Sequence, residues 1–261
     1  MKKMLFLIAT AALLVPAAKA QDNDHADSRM TLNRIRFGAY VAPNISWMKP
    51  TASKDGVFGV ESDGSKLGFT YGLMAEYYFA RNYGIVTGLQ VNSTGGKIIA
   101  TNVNAGNPAP GVSQVNKANF DYRLQYLEIP IALKLRTDDI SGFRFFGQLG
   151  ATLGINIGKK ATYDVNYYNA DSGKNYTVSD SKIKIQGSTT IAPIMLQMNI
   201  GAGAEYPINN KLTAYVGLFF NNGFAPDATS PEKFKNFGYQ GTFTDAKTRL
   251  NNFALRLGLF F

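Results

Sequence analysis

Cysteine is absent from the 261 residues. No disulfide, thiolate metal site or acylated N-terminal cysteine is available, so the chain does not read as a lipoprotein. Histidine occurs once, as His25. Hydrolytic catalysis usually pairs a nucleophile with a histidine base, and this chain has one candidate for the whole of such chemistry. Charged residues make up only 17%. Past the first twenty positions there is no run of about 18 apolar residues, which leaves no membrane helix. No glycine-rich phosphate loop follows a strand, and no metal-ligand spacing appears. We therefore assign no catalytic residue, no cofactor and no metal, and expect no enzyme.

What is present begins with Lys2 and Lys3, followed by an apolar run from Met4 to Val15. Pro16 breaks the run, and Ala18-Lys19-Ala20 has the small-x-small form of a cleavage site. Residues 1–20 read as a secretory signal peptide. Its removal takes away Lys2, Lys3 and Lys19 and no acid, so the net charge falls from +9 to +6. An exported basic protein rarely meets nucleic acid; this charge suggests anionic lipopolysaccharide, beside outer-membrane lipid, as a partner, or simply a solvated loop surface. Residues 21–32 are polar, with Asp22, Asp24, Asp27 and His25, and read as a flexible periplasmic tail.

The remainder, 33–261, carries its apolar residues in short alternating runs, and the mean hydropathy of the whole chain is only −0.11. Strands alone cross a bilayer with that pattern, and then as a closed barrel. The clearest run is Tyr126–Arg136, YLEIPIALKLR. Leu127, Ile129, Ile131, Leu133 and Leu135 occupy one face; Glu128, Pro130, Ala132, Lys134 and Arg136 occupy the other. Above it the apolar residues, Phe120, Tyr122, Leu124 and Tyr126, fall on even positions instead. One extra residue near Tyr126 produces such a parity switch, so the pattern predicts a β-bulge there. Pro130 gives no ladder hydrogen bond and is expected to face inward at a local distortion.

Eight alternating segments are expected, at about 33–47, 66–79, 83–99, 118–136, 143–157, 190–206, 211–221 and 250–261. Connections alternate long and short. The long ones are 48–65, 100–117, 158–189 and 222–249; the short ones lie near 80–82, 137–142 and 207–210. Outer-membrane barrels place short turns in the periplasm and long loops outside. The fold class is thus all-β: an eight-stranded antiparallel up-and-down transmembrane β-barrel. Within 158–189, Tyr163, Val165 and Tyr167 alternate before Asn169–Gly173, which predicts a hairpin rising above the membrane and a candidate surface for a protein partner. Aromatics at strand ends (Trp47, Tyr77, Tyr78, Phe79, Tyr83, Phe143, Phe145, Tyr206, Phe219, Phe220, Phe253, Phe260 and Phe261) suggest two interfacial girdles.

Eight strands leave a lumen filled by side chains. The inward charged candidates are Arg36, Glu76, Glu128, Lys134, Arg144, Glu205 and Arg256. Buried unpaired, each costs several kcal/mol, so they are expected to pair into a structural polar network. Glu128 is expected to bridge to Arg36, Arg144 or Arg256, the last being the most distant in strand order. Gly201-Ala202-Gly203 reads as small inward residues in a crowded interior.

YLEIPIALK, Tyr126–Lys134, together with a C-terminal strand ending in Phe261, resembles the PorT-like outer-membrane β-barrel family. The resemblance implies an outer-membrane location and, for the family's namesake role, an accessory part in protein secretion across the envelope. The strand ending in Phe261 is the expected contact for the barrel-assembly machinery. From the residues themselves the expected function is a non-enzymatic barrel with a structural or surface-interaction role. A secretion accessory, a narrow channel and a lipid-modifying enzyme remain open as alternatives.

Overall fold

The computed structural model describes residues 35–51, 58–102, 114–169, 171–184, 191–226 and 248–261. The signal peptide 1–20 and tail 21–32 lie outside the described residues, as does most of the expected loop 222–249.

Ten strands form one antiparallel sheet. They are β1 Ile35–Pro50, β2 Phe58–Ser62, β3 Ser65–Ala80, β4 Tyr83–Asn102, β5 Gln114–Arg136, β6 Arg144–Asn169, β7 Lys174–Lys184, β8 Ile194–Pro207, β9 Thr213–Gly223 and β10 Thr248–Phe260. Eight of them close the barrel in the order β1-β3-β4-β5-β6-β8-β9-β10, and β10 returns to β1 with Gly38 opposite Phe260. The expected up-and-down barrel is therefore the observed one. The other two strands are additions at the long-loop end. β2 continues the line of β3 along β4, pairing Phe58 with Asn102; Asp63 and Gly64, the latter at φ +115°, interrupt the line. β7 pairs with the upper part of β6 and makes the predicted hairpin, with Gly173 at φ +65° in its turn.

Alternation places the apolar residues of the lower barrel outward. Ile131, Leu133, Leu149, Leu153, Leu218, Leu257 and Leu259 are all exposed, Leu218 at 68%. A continuous apolar belt of this kind is solvated by lipid, not water. A crossing needs about 9–11 residues per strand. β5 has 23 and β6 has 26, so the wall they form projects well past the belt at the long-loop end.

That projection corrects the bulge prediction. β5 keeps one phase throughout: even residues from Ala118 to Lys134 are buried, with no extra residue near Tyr126. The environment changes instead. In the belt, apolar residues face out to lipid; above it, Phe120, Tyr122, Leu124 and Tyr126 face in and form a dry core. The bulge sits across the ladder. Gln125 pairs with Gly158 and Tyr126 with Asn156, which leaves Ile157 of β6 as the extra residue. Below Ile157 the buried β6 residues are even, such as Gln148, Thr152 and Gly154; above it they are odd, Ala161 and Val165. β5 meets the inversion by changing its sequence phase and β6 by changing its backbone phase.

Pro130 faces inward as expected. The β4–β5 ladder skips Gly88 and Leu89, which stand opposite Pro130 and Ile129, without changing register. The absent N–H accounts for the gap.

Candidate functional site

The lumen is the place where the sequence gathers its buried polar groups, and it is stacked in layers. At the short-turn end the starts and ends of four strands bring Arg36 (β1), Glu76 (β3), Lys134 (β5) and Glu205 (β8) together. Arg36 bridges Glu76 at 2.6 Å and Glu205 at 2.9 Å. Lys134 bridges Glu76 at 2.6 Å and also Glu205. The result is a ring of alternating sign with two cations and two anions. Tyr78 adds to it, accepting from Arg36 at 3.1 Å and donating to Glu76 at 3.0 Å. Lys134 and Glu76 are almost wholly buried, so each charge depends on its neighbours in the ring.

Aromatic side chains pack against this ring. Phe146, Tyr215, Phe219 and Phe260 are buried together with Tyr40 and Met74. The Lys134 ammonium lies 4.3 Å from the centre of the Phe146 ring, and the Arg36 guanidinium 4.2 Å from that of Phe260. Both distances suit cation–π attraction. Space here is fully used. A Cβ on Gly201 would meet the Phe219 ring at 2.2 Å, and one on Gly203 would meet the Val216 carbonyl oxygen at 2.1 Å. Both glycines are the small inward residues the sequence suggested.

Glu128 lies in the next layer, 1% exposed. Its carboxylate accepts hydrogen bonds from Asn92, at 2.8 Å, and from Gln90, whose own oxygen accepts from Tyr40. The expected salt bridge to Arg36, Arg144 or Arg256 is not formed. Arg36 is committed to the charge ring. Arg256, the residue thought most distant, lies against aromatic rings instead, its guanidinium 4.0 Å from the centre of the Phe219 ring and 5.1 Å from that of Tyr40. Two amides on β4, Gln90 directly opposite Glu128 and Asn92 diagonal to it, satisfied the carboxylate first. Arg144 is half-buried at the short-turn end, opposite Glu205 in the β6–β8 ladder.

Around Glu128 and across the lumen the sequence places asparagine at inward positions on five strands, a signal that a reading by charge overlooks. Asn44 donates to Thr70 and Asn92, at 3.2 and 3.3 Å. Across the barrel a second chain runs from Gln148 to Asn199, from Asn199 to Asn221 and from Asn221 to Asn252, each amide donating to the next. Above these amides begins the dry core, in which Met48, Ile98, Tyr122, Leu124, Met195 and Leu250 are fully buried.

Three of the predicted girdle residues, Tyr78, Phe219 and Phe260, turn inward and serve the lumen. Alternation fixed their side, whereas the girdle reading used only their position along the strand. The outward ones divide as expected. Tyr77, Phe79, Tyr83, Phe143, Phe145 and Tyr206 ring the short-turn end. Trp47, Phe220 and Phe253 cluster at the other interface, with ring centroids 4.9 to 6.3 Å apart.

A closed barrel with a lipid-facing belt and a polar, plugged lumen is the architecture of outer-membrane proteins, and the family comparison agrees. The model of the outer membrane protein beta-barrel domain family matches residues 19–226. The chain belongs to this family. It is accordingly a protein of the outer membrane, crossing it with its strands. No curated protein matches the sequence. Among solved structures, the Neisserial surface protein A aligns at 14% identity and a TM-score of 0.40, over 87% of this chain and 97% of that one. OprG from Pseudomonas aeruginosa aligns at 12% and 0.40, over 87% and 94%. Ail, the attachment invasion locus protein of Yersinia pestis, aligns at 12% and 0.34, over 87% and 97%. No role is carried over from likenesses this distant.

Proposed function

We propose that this barrel is non-conducting and non-enzymatic, and that it serves as a membrane-anchored scaffold presenting the tall β4–β7 wall at the cell surface. The observation that carries the reading is the sealing of the lumen at two levels: the charge ring with the aromatic side chains packed against it, and the dry core beyond the belt. A channel needs a continuous wet path, and each of these layers interrupts one. Among the described residues no group of three or more His, Cys, Asp or Glu gathers as metal ligands. The lumen carboxylates are held by cations or amides, not aimed at a cleft.

Conductance tests this reading. Purified chain inserted into planar bilayers should give no discrete current steps at 100–200 mV, about the range used for porins. Regular steps of uniform size would overturn it. The Tyr126–Lys134 motif supports a second reading, a PorT-like accessory role in secretion. A deletion strain that exports its full set of secreted proteins would remove that alternative. Assembly is proposed to proceed through recognition of β10 and its outward Phe261 by the barrel-assembly machinery; Phe261→Ala should slow insertion in cells.

A further inference from the structure

Directly above the apolar belt, on the outer wall, three cations form no salt bridge among the described residues. Arg123 of β5 and Lys160 of β6 are direct cross-strand partners on the outward face, and both are exposed. Lys97 of β4 lies diagonally from Arg123, opposite Asp121. Like charges set directly opposite in a sheet repel, since their Cβ atoms are about 5 Å apart. A nearby acid normally relieves such a pair. Here the nearest one, Asp121, is taken by Lys66, which reaches over Gly95 to bridge it. No carboxylate lies within salt-bridge distance of Lys97, Arg123 or Lys160 among the described residues.

The height of this row identifies what meets it. Leu127 on β5 and Ile157 on β6 mark the top of the belt. Arg123 is four residues above the first and Lys160 three above the second, about 10–13 Å along the strand and about 8–10 Å along the membrane normal at the usual tilt. The headgroup zone is about 5–8 Å deep on each side of the hydrocarbon. Long basic side chains bend back toward such a zone while their stems cover apolar surface. Guanidinium and ammonium groups are the usual binders of phosphate there, the guanidinium in a two-point grip.

We propose that Arg123 and Lys160, with Lys97 beside them, form a binding site for the phosphate groups of the outer-leaflet glycolipid, the lipid A portion of lipopolysaccharide. The bound phosphates neutralise a repulsive pair that the protein leaves unneutralised. The site rests on the outer-membrane placement with the long-loop end outside, and it names the residues through which that lipid is held. One consequence is orientation: a lipid gripped on the β4–β6 side fixes the rotation of the tall wall relative to the membrane.

The test uses the full chain, folded in neutral detergent and titrated with phosphorylated lipid A, with native mass spectrometry reading the bound fraction. Arg123→Gln/Lys160→Gln should lower affinity at least tenfold and flatten its dependence on salt. Lys160→Arg, which keeps the charge, should retain binding, and Lys211→Gln, at a short turn on the other side of the membrane, should leave it unchanged. Dephosphorylated lipid A should bind the wild type and the double variant alike, and millimolar inorganic phosphate should not displace the lipid. Equal affinity of wild type and double variant, or displacement by inorganic phosphate, overturns the proposal. Heat-modifiable gel mobility is followed in every sample. A wild type that folds and inserts but binds without regard to Arg123 and Lys160 sinks this site alone; a wild type that does not insert sinks the barrel placement and the site together.

Discussion

Lys134 stands between Glu76 and Glu205 with almost no contact with water, and Arg36 closes the ring from the far side. Removing one member leaves a buried charge uncompensated. Lys134→Met should therefore destabilise the folded barrel by about 3–5 kcal/mol, read as the shift in its urea midpoint in lipid vesicles. Lys134→Met/Glu205→Gln, which removes one charge of each sign, should regain much of that loss. An unchanged midpoint in the single variant would show that the ring does not hold the barrel. Glu128 is a different case, because its partners are neutral amides. Glu128→Ala strands the donors of Gln90 and Asn92 and should cost about 1–3 kcal/mol per unsatisfied group. Glu128→Gln keeps an acceptor and should cost less. Were Glu128 a transport residue, Glu128→Gln would leave stability untouched and abolish a proton flux measurable in vesicles.

The elements separate what lipid requires from what water requires. Leu257 faces out in the belt and Ala254 faces in, one to each side of β10. Leu257→Arg should oppose insertion by about 2–4 kcal/mol if near the midplane. Ala254→Arg should instead fail by crowding the lumen, where the layer is already full. Equal tolerance of both in a refolding assay would contradict the facing. Ile157 supplies the sharper test. Its deletion would remove the extra residue and leave Asn156 opposite Tyr126 and Gly158 opposite Gln125, so both halves of β6 should keep their present facing, with Ala161 and Val165 inward and Lys160 outward. The belt should still insert and the projecting wall should stay resistant to protease; a wall made protease-sensitive by this deletion would contradict the bulge. This element also shows where the sequence was readable. The eight strands and their facing in the belt followed from Leu127–Leu135 and its counterparts, because period-2 alternation against lipid is unambiguous. The parity change near Tyr126 was equally visible, yet two causes produce it: an inserted residue or an inverted solvent. Local sequence does not separate them. β6 contains the insertion and no parity change, the complementary signal. Glu128 was misassigned for a related reason, since pairing by charge ignored the amides of Gln90, directly opposite, and Asn92, on the diagonal.

Seen whole, the molecule has a polar interior where it is surrounded by lipid and an apolar interior where it is surrounded by water. The eight-stranded belt anchors it, and β4 to β7 carry the taller wall. Orientation follows from the lengths of the connections: residues 171–184 should be accessible to protease or antibody on intact cells, and residues 137–142 should not. Labelling of 137–142 from outside would reverse the assignment. The inversion of polarity along one continuous strand is the central claim, and the absence of cysteine permits a direct measurement of it. Single cysteines placed in turn from position 120 to position 135 on β5 can be probed in native membranes with a lipid-soluble and a membrane-impermeant maleimide. The account predicts that odd positions stay reactive throughout, changing from the lipid reagent at 129, 131 and 133 to the aqueous reagent at 121, 123 and 125, while 120, 122 and 124 resist both. Protection of 121 and 123 together with reactivity at 122 and 124 would place a bulge in β5 and contradict it.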